Sequence, residues 1–159
     1  MNKNKKGVIK SFRDLHVYQN TYKASIKVAT KILTKLPLVE KYDLVSQMRR
    51  ASKAIPRLIA EGFAKKHQKR GFQKYLDDAM AECNELLVCL EHIKDIYGIE
   101  KELCNELINV YDKSARKIFV LAEVWDNFTN RRRKSRSYNQ TGSDAKYPDP
   151  ILSKLAIYN

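Results

Sequence analysis

Basic side chains recur at helical spacing in the middle of the chain. Arg49, Lys53 and Arg57 lie four residues apart, and Lys65 continues the same step beyond Glu61. Side chains at positions i and i+4 share one face of an α-helix, so this spacing predicts a cationic ridge. Such a ridge can neutralise phosphates and release their counterions, which gives sequence-independent affinity for nucleic acid.

The ridge belongs to a basic band at residues 49–74, which holds nine basic residues and one acid. The band carries a net charge of +8, and residues 1–13 and 128–159 each carry +5, so the rest of the chain is acidic, with −5, although the total is +13. This asymmetry indicates a polyanionic partner, nucleic acid before membrane. The competing interpretation is a solvated helix face, or arginines paired with acids of another helix or subunit. The candidate phosphate contacts are Arg49, Arg50, Lys53, Arg57, Lys65, Lys66, Lys69 and Arg70 in the band, and Arg131, Arg132, Arg133 and Arg136 after it.

Catalytic and metal-binding patterns are missing from the sequence. A di-metal site in a helical bundle needs Glu-x-x-His pairs, and no glutamate lies three residues before His16, His67 or His92. Cys89 and His92 form one i, i+3 pair, without the second pair that a four-ligand site requires. The sequence also lacks a glycine-rich phosphate loop and a local nucleophile pattern. We therefore expect a non-enzymatic protein without metal or cofactor.

The cysteines and the apolar runs indicate a cytoplasmic protein. Cys83, Cys89 and Cys104 are odd in number and lack paired spacing, which is typical of reduced, partly buried thiols. The longest apolar run covers residues 86–90, far short of the ~20 residues that span a bilayer. The basic residues 1–10 contain no apolar core of a secretory signal. We expect no membrane association.

The elements that must position the basic residues are helices. Apolar residues recur at three- and four-residue steps over four stretches, and none shows strand alternation. Four helices of similar length with short connections predict an all-α fold, an antiparallel up-down-up-down four-helix bundle. The four stretches are 15–36, 44–62, 72–98 and 103–125.

Particular residues should begin, bend or end these helices. Asp14 and Asp43 precede the first two and are candidate N-caps. Pro37 ends the first helix, and Gly98 closes the third in a position that favours glycine. Pro56 lies inside the second helix, whose apolar stripe keeps its phase, so we expect a kink rather than a break.

The chain divides into three parts by composition. We expect a basic disordered arm over residues 1–11, the four-helix bundle over 12–128, and a basic, flexible tail over 129–159. The tail ends with a small apolar group at 151–157, which could dock on the body or on a neighbouring subunit, or stay disordered.

Several short motifs, in this order, resemble one bacterial family. They are Phe12-Arg13-Asp14-Leu15, Ser46-Gln47-Met48-Arg49-Arg50-Ala51, Ile55-Pro56, Ile59-Ala60-Glu61-Gly62 and Asn84-Glu85-Leu86. Over about residues 12–127 the chain is similar to the four-helix-bundle proteins called 23S rRNA intervening-sequence proteins. The resemblance implies an antiparallel bundle that assembles into a ring, a homopentamer, without established enzyme activity.

The resemblance leaves two hypotheses for function. One is an oligomeric bundle that binds the backbone of RNA or DNA through basic surfaces. The other is a protein-interaction scaffold, because a related bundle is the accessory subunit of diversity-generating retroelements and binds both nucleic acid and the reverse transcriptase. Among the motif residues, Gln47, Glu61 and Asn84 could make polar contacts inside the bundle or across subunits.

Overall fold

The chain folds into four principal helices. A computed structural model describes the backbone of residues 9–68 and 70–138 and the side chains of this part as far as residue 127. Its described portion contains helices and turns but no strand, which confirms the predicted all-α fold. The helices are α1 (His16–Lys27), α2 (Leu44–Ala64), α3 (Gly71–His92) and α4 (Lys101–Tyr138).

Two of these helices continue in altered turns. A π-helical turn, Val28–Ile32, and a 3-10 turn, Leu33–Lys35, extend α1. This helical stretch ends at Lys35, two residues before Pro37. The π-helical turn Ile93–Tyr97 extends α3 to Gly98, whose φ of 64° lies in the left-handed region. Glycine adopts this conformation without steric cost, so the predicted closure at Gly98 is confirmed.

Consecutive helices pack side by side, and α1 also packs against α4. The connections between them are short, so each helix runs antiparallel to the one before it. Lys27 on α1 and Glu106 on α4 form an ion pair with 2.5 Å between Nζ and Oε1, which links the first helix to the last. The bundle therefore encloses one apolar core, whose fully buried side chains include Ile32, Ile55, Leu86, Leu107 and Ile118.

The start of α1 differs from the prediction. Asp14 does not cap α1; its carboxylate accepts hydrogen bonds of 2.8 Å from the amides of Lys10 and Ser11. It thereby closes the 3-10 turn Phe12–Asp14 in a reciprocal capping box with Ser11, and Leu15 occupies the N-cap position of α1. These amide donors lower the pKa of Asp14 below its usual value.

The helix α2 begins where the sequence predicts, but the predicted capping hydrogen bond to the Asp43 side chain is not formed. Asp43 occupies the N-cap position, yet its side chain makes no capping bond to the backbone and accepts one from Gln47 Nε2 at 3.0 Å. Glu40, one turn earlier, accepts the amide of Leu44 at 3.2 Å. Farther along, α2 runs unbroken through Pro56, as the phase of the apolar stripe indicates.

Described structure continues on both sides of residues 12–128. Ile9 is buried in the core, although the sequence analysis places it in the arm. At the other border α4 continues to Tyr138 and includes the backbone of the basic cluster at 131–136. Among the described residues no helix combines the length and hydropathy needed to cross a bilayer.

Candidate nucleic-acid interface

The predicted ridge forms on the solvent face of α2. Arg49, Arg50, Lys53 and Arg57 are all exposed, and the opposite face of the helix is buried in the core. The helix repeat of 3.6 residues keeps these four side chains within about one third of the helix circumference. We call these four residues the α2 ridge.

Most cations of the α2 ridge are unpaired. Arg57 lies 4.0 Å from Glu61 on the same helix, a loose contact between exposed side chains. Arg49, Arg50 and Lys53 form no ion pair within 4.0 Å in the portion of the chain that the structure describes. Among the described residues, therefore, no carboxylate holds the guanidinium groups of Arg49 and Arg50, which can reach an external anion.

Acidic side chains of α3 border the α2 ridge. Glu82 is partly buried, and this burial, followed by the charge of Glu85, raises its pKa above the usual value. Arg50 and Arg57 lower that pKa, so both arginines lie within electrostatic range of Glu82. The α2 ridge is thus a positive strip with a negative border, and the border weakens its field toward α3.

A second group of cations lies where α2 turns into α3. Lys65, Arg70 and Lys74 are exposed, and Lys66 is partly buried with its Nζ 3.9 Å from the centre of the Phe63 ring. We call these four residues the cationic end. Lys69, the residue before Arg70 in the sequence, is outside the described residues. The cationic end thus extends the positive surface beyond the last turn of α2.

Local contacts hold the cationic end in place. Lys65 Nζ donates a hydrogen bond to the Tyr75 hydroxyl and lies 4.5 Å from the centre of its ring. That hydrogen bond raises the pKa of Lys65, so the side chain is cationic at neutral pH. The turn requires glycine at position 71, because a Cβ there would lie only 2.3 Å from the carbonyl oxygen of Lys65.

A cleft of about 730 Å³ opens beside this turn. Lys65, Arg70 and Lys74 line it together with Asp77 and Asp78. None of the three cations forms an ion pair within 4.0 Å among the described residues. The cleft is large enough for a nucleotide-sized group, although its two aspartates reduce the positive potential.

Trp125 fixes the level of α4 relative to the cationic end. Its indole nitrogen donates a hydrogen bond of 3.3 Å to the carbonyl oxygen of Lys66, and its ring meets Phe72 edge-on at 5.1 Å. Residues 126–138 extend α4 past this level by about 20 Å at 1.5 Å per residue. The backbone positions of Arg131, Arg132, Arg133 and Arg136 lie on this extension, and their side chains are outside the described part.

The remaining polar motif residues lie at the surface. Asn84 and Glu61 are exposed, so the structure contradicts a role for them inside the bundle. Gln47 is partly buried and contacts Asp43, while its carbonyl oxygen lies 4.0 Å from Cys89 Sγ. Lys74, the last residue of the basic band predicted from the sequence, belongs to the cationic end and lies one helical turn after Arg70.

The thiols offer no reactive centre. Cys83, Cys89 and Cys104 are free and buried, as predicted. Burial raises the pKa of Cys83 to about 12 and that of Cys89 to about 11. Within residues 9–68 and 70–138 no group of histidines, cysteines and carboxylates is arranged to hold a metal ion.

Comparison with known proteins gives one match. A family model described as 23S rRNA-intervening sequence protein matches residues 13–119, which is more than half of the chain. No curated protein and no solved structure matches significantly. The matched region contains α1, α2 and α3 and the first half of α4, and so includes both the α2 ridge and the cationic end.

Proposed function

The chain belongs to the 23S rRNA-intervening sequence protein family, and from this premise we propose that it is a non-enzymatic, oligomeric, cytoplasmic bundle that binds the phosphate backbone of RNA or DNA. The observation that carries the proposal is the α2 ridge, in which Arg49, Arg50 and Lys53 are exposed and unpaired among the described residues. The cationic end and the basic extension of α4 add further positive charge at one end of the bundle.

Energetic considerations favour phosphate contact over a purely solvated face. Exposed arginines and lysines contribute little to folding, so four of them on one strip have no evident structural role. Each phosphate that they neutralise releases counterions, and this gain in entropy gives affinity that falls steeply with salt. In the part of the chain that the structure describes, the exposed cations offer contacts to phosphates, which carry no sequence information, so we expect weak sequence preference.

A salt titration tests this function. The dissociation constant for a fluorescent 30-nucleotide RNA and for the matching DNA duplex is measured by anisotropy from about 50 mM salt upward. The variant R49Q/R50Q/K53Q removes three ridge charges. If each contacts one phosphate, the slope of log K against log[salt] becomes smaller by about 2–3.

A matched control separates this effect from net charge. Lys23 on α1, Lys31 in the π-helical turn that extends α1, and Lys113 on α4 are exposed and form no ion pair among the described residues. The variant K23Q/K31Q/K113Q therefore loses the same charge elsewhere on the surface and should keep the original slope. Equal slopes for the two variants, or no binding by the unaltered protein at about 50 mM salt, would contradict the proposal.

The oligomeric part of the proposal is supported by a lateral apolar stripe on α1. Tyr22 and Ile26 are 50 % and 48 % exposed, and Tyr18 stacks on Tyr22 with 5.9 Å between ring centres. The residues lie four apart and so share one face of the helix. Neighbouring subunits that cover this stripe would remove it from water, which favours the homopentamer that the family resemblance implies.

Light scattering after size exclusion tests the oligomer. A pentamer has five times the chain mass of 18.5 kDa. The variant Y22K/I26K should lower the measured mass, because charged residues replace the apolar contact. The control variant V88K changes another half-exposed apolar residue, on α3, and should leave the mass unchanged. A single-chain mass for the unaltered protein would refute this part of the proposal.

A further inference from the structure

The end of the bundle opposite the cationic end carries an exposed apolar patch. Leu38, Val39 and Tyr42 are 88 %, 79 % and 85 % exposed, and Ile96 is 65 % exposed. We call these four residues the apolar patch. Large apolar side chains grouped at this exposure are typical of a binding surface rather than of isolated surface residues.

The apolar patch is built on ordered turns that are joined to each other. Leu38, Val39 and Tyr42 lie in the 3-10 turn Leu38–Tyr42 between α1 and α2, and Ile96 lies in the π-helical turn that ends α3. Tyr97 donates a hydrogen bond to Glu40, which connects the two turns. The patch is therefore presented by a fixed backbone, so a partner that binds it has little ordering cost.

The sequence contains a short apolar segment beyond the described residues. Residues 151–157 include Ile151, Leu152, Leu155 and Ile157, and they follow the polar stretch 139–150. Four large aliphatic side chains in seven residues need a partner to be removed from water. The apolar patch offers a surface of matching chemistry.

The tether is too short for the whole segment to dock on the patch of its own chain. Lys101, at the patch end, and Tyr138 are separated along α4 by about 55 Å at 1.5 Å per residue. The thirteen steps from residue 138 to residue 151 span at most about 47 Å when fully extended, so Ile151 and Leu152 cannot reach that patch and only the last residues of the segment come within range of it. A parallel neighbour in a ring presents its patch at a similar axial distance, so the accessible patch belongs to an inverted copy or to a copy in another ring.

We propose that residues 151–157 of one copy dock on the apolar patch of a second copy and thereby link subunits or rings end to end. Between two inverted copies the contact forms twice, because each tail faces the other copy's patch, and the pair is then related by a twofold axis. The contact does not depend on nucleic-acid binding or on the α1 stripe.

A complementary pair of full-length variants tests the contact directly. The acceptor has the photoreactive residue p-benzoylphenylalanine in place of Tyr42, and L152D/L155D disables its own tail. The donor carries L38K/V39K, which disables its own patch at two exposed positions, and is labelled with ¹⁵N. After irradiation of the mixture, mass spectrometry should find the acceptor position 42 joined to a ¹⁵N peptide containing residues 151–157.

Two controls make the result decisive. A donor that also carries L152D/L155D should reduce the yield of this cross-link at least about tenfold, because two buried leucines are lost. An acceptor with the photoreactive residue at Val88, a half-exposed site on α3, should give no cross-link to the segment. Absence of the expected cross-link, or cross-links from position 42 to another region of the donor, would overturn the proposal whatever the nucleic-acid assay shows.

Discussion

Cys83, Cys89 and Cys104 show how the core controls side-chain chemistry. Each thiol lies on the inner face of α3 or α4, where desolvation disfavours the thiolate and raises the pKa. The sequence predicted reduced and partly buried thiols from their number and spacing. The sequence could not predict how completely each thiol is shielded from solvent, because this shielding depends on which neighbouring helix covers each sulfur.

We predict that the native protein resists thiol reagents. Because the thiolate is the reactive form, Cys83 and Cys89 should react with Ellman's reagent at pH 8 at least about a hundredfold more slowly than a free cysteine. Absorbance at 412 nm measures the coloured thiolate that the reagent releases when a protein thiol reacts. Addition of denaturant should expose all three thiols at once, and rapid labelling before unfolding would show that the core is more open than the structure indicates.

We predict that Glu82→Gln stabilises the protein at neutral pH. Burial raises the pKa of Glu82 above its ordinary value of 4.5, so its charged form is less favourable in the folded state than in the unfolded state. In the wild-type protein, protonated Glu82 therefore favours the folded state at low pH. The free energy of unfolding falls as pH rises from 4.5 through the higher folded-state pKa. The variant avoids the loss, so its advantage in the free energy of unfolding should be present at pH 7 and vanish toward pH 4.

Urea denaturation at several pH values measures this difference. Glu91→Gln is a suitable control, since Glu91 is exposed on the same helix and outside the border of the α2 ridge. An advantage for Glu82→Gln that persists unchanged at pH 4 would show that packing, not the charge of Glu82, is responsible.

At the scale of the element, α4 illustrates what a hydrophobic pattern misses. The apolar periodicity ends near Trp125, so the sequence analysis placed the end of the bundle at residue 128. The helix continues to Tyr138, because residues 126–138 contain no glycine or proline and include arginines and a lysine, which are good helix formers. Periodicity detects the buried face of a helix, and a segment without a buried face gives no such signal.

The caps show a similar limit. A single aspartate before a helix predicts an N-cap, yet Asp14 closes the preceding 3-10 turn and Glu40 takes the capping role at α2. Both outcomes depend on short turns whose hydrogen bonds are not evident from residue type. The four helices themselves were predictable, because each has a long stripe of apolar residues that must be buried.

We predict that Gly62→Ala destabilises the fold. A Cβ at this position would lie 2.7 Å from Tyr75 Cβ and 2.8 Å from Phe72 Cδ2, so α2 and α3 would have to separate. Overpacking costs about 1–3 kcal/mol, which exceeds the helix propensity that alanine gains over glycine, about 0.5–1 kcal/mol.

Thermal and urea unfolding test this expectation. Ala64→Ser, an exposed change in the same last turn of α2, should alter the free energy of unfolding by less than about 0.5 kcal/mol. A Gly62→Ala protein as stable as the unaltered one would show that the two helices can separate without loss of core contacts.

At the scale of the whole molecule, the bundle has two chemically different ends. The α2–α3 turn and the extension of α4 carry positive charge at one end, and the apolar patch lies at the other. The sequence predicted the positive band from composition. It did not predict the apolar patch, because Leu38, Val39 and Tyr42 are ordinary core residue types, and only the packing of the connections shows that they remain outside.

The length of the positive surface predicts the length of nucleic acid that fills it. From Arg49 to Lys65 the rise along α2 is about 24 Å, at 1.5 Å per residue. A stacked strand advances about 3.4 Å per nucleotide, so about seven nucleotides span the α2 ridge and reach the cationic end. Affinity should therefore rise steeply for oligonucleotides of up to about seven residues and only gradually for longer ones.

Competition anisotropy with RNA oligonucleotides of 3 to 15 residues at fixed low salt measures this dependence. The variant K65Q/R70Q/K74Q should shorten the steep phase, because the strand then gains contacts only along the α2 ridge. The variant R49Q/R50Q/K53Q should instead reduce affinity for short and long oligonucleotides alike. A steep phase of the same length in both variants would mean that the ridge and the cationic end bind separate strands, and a continuous track along α2 would then be ruled out.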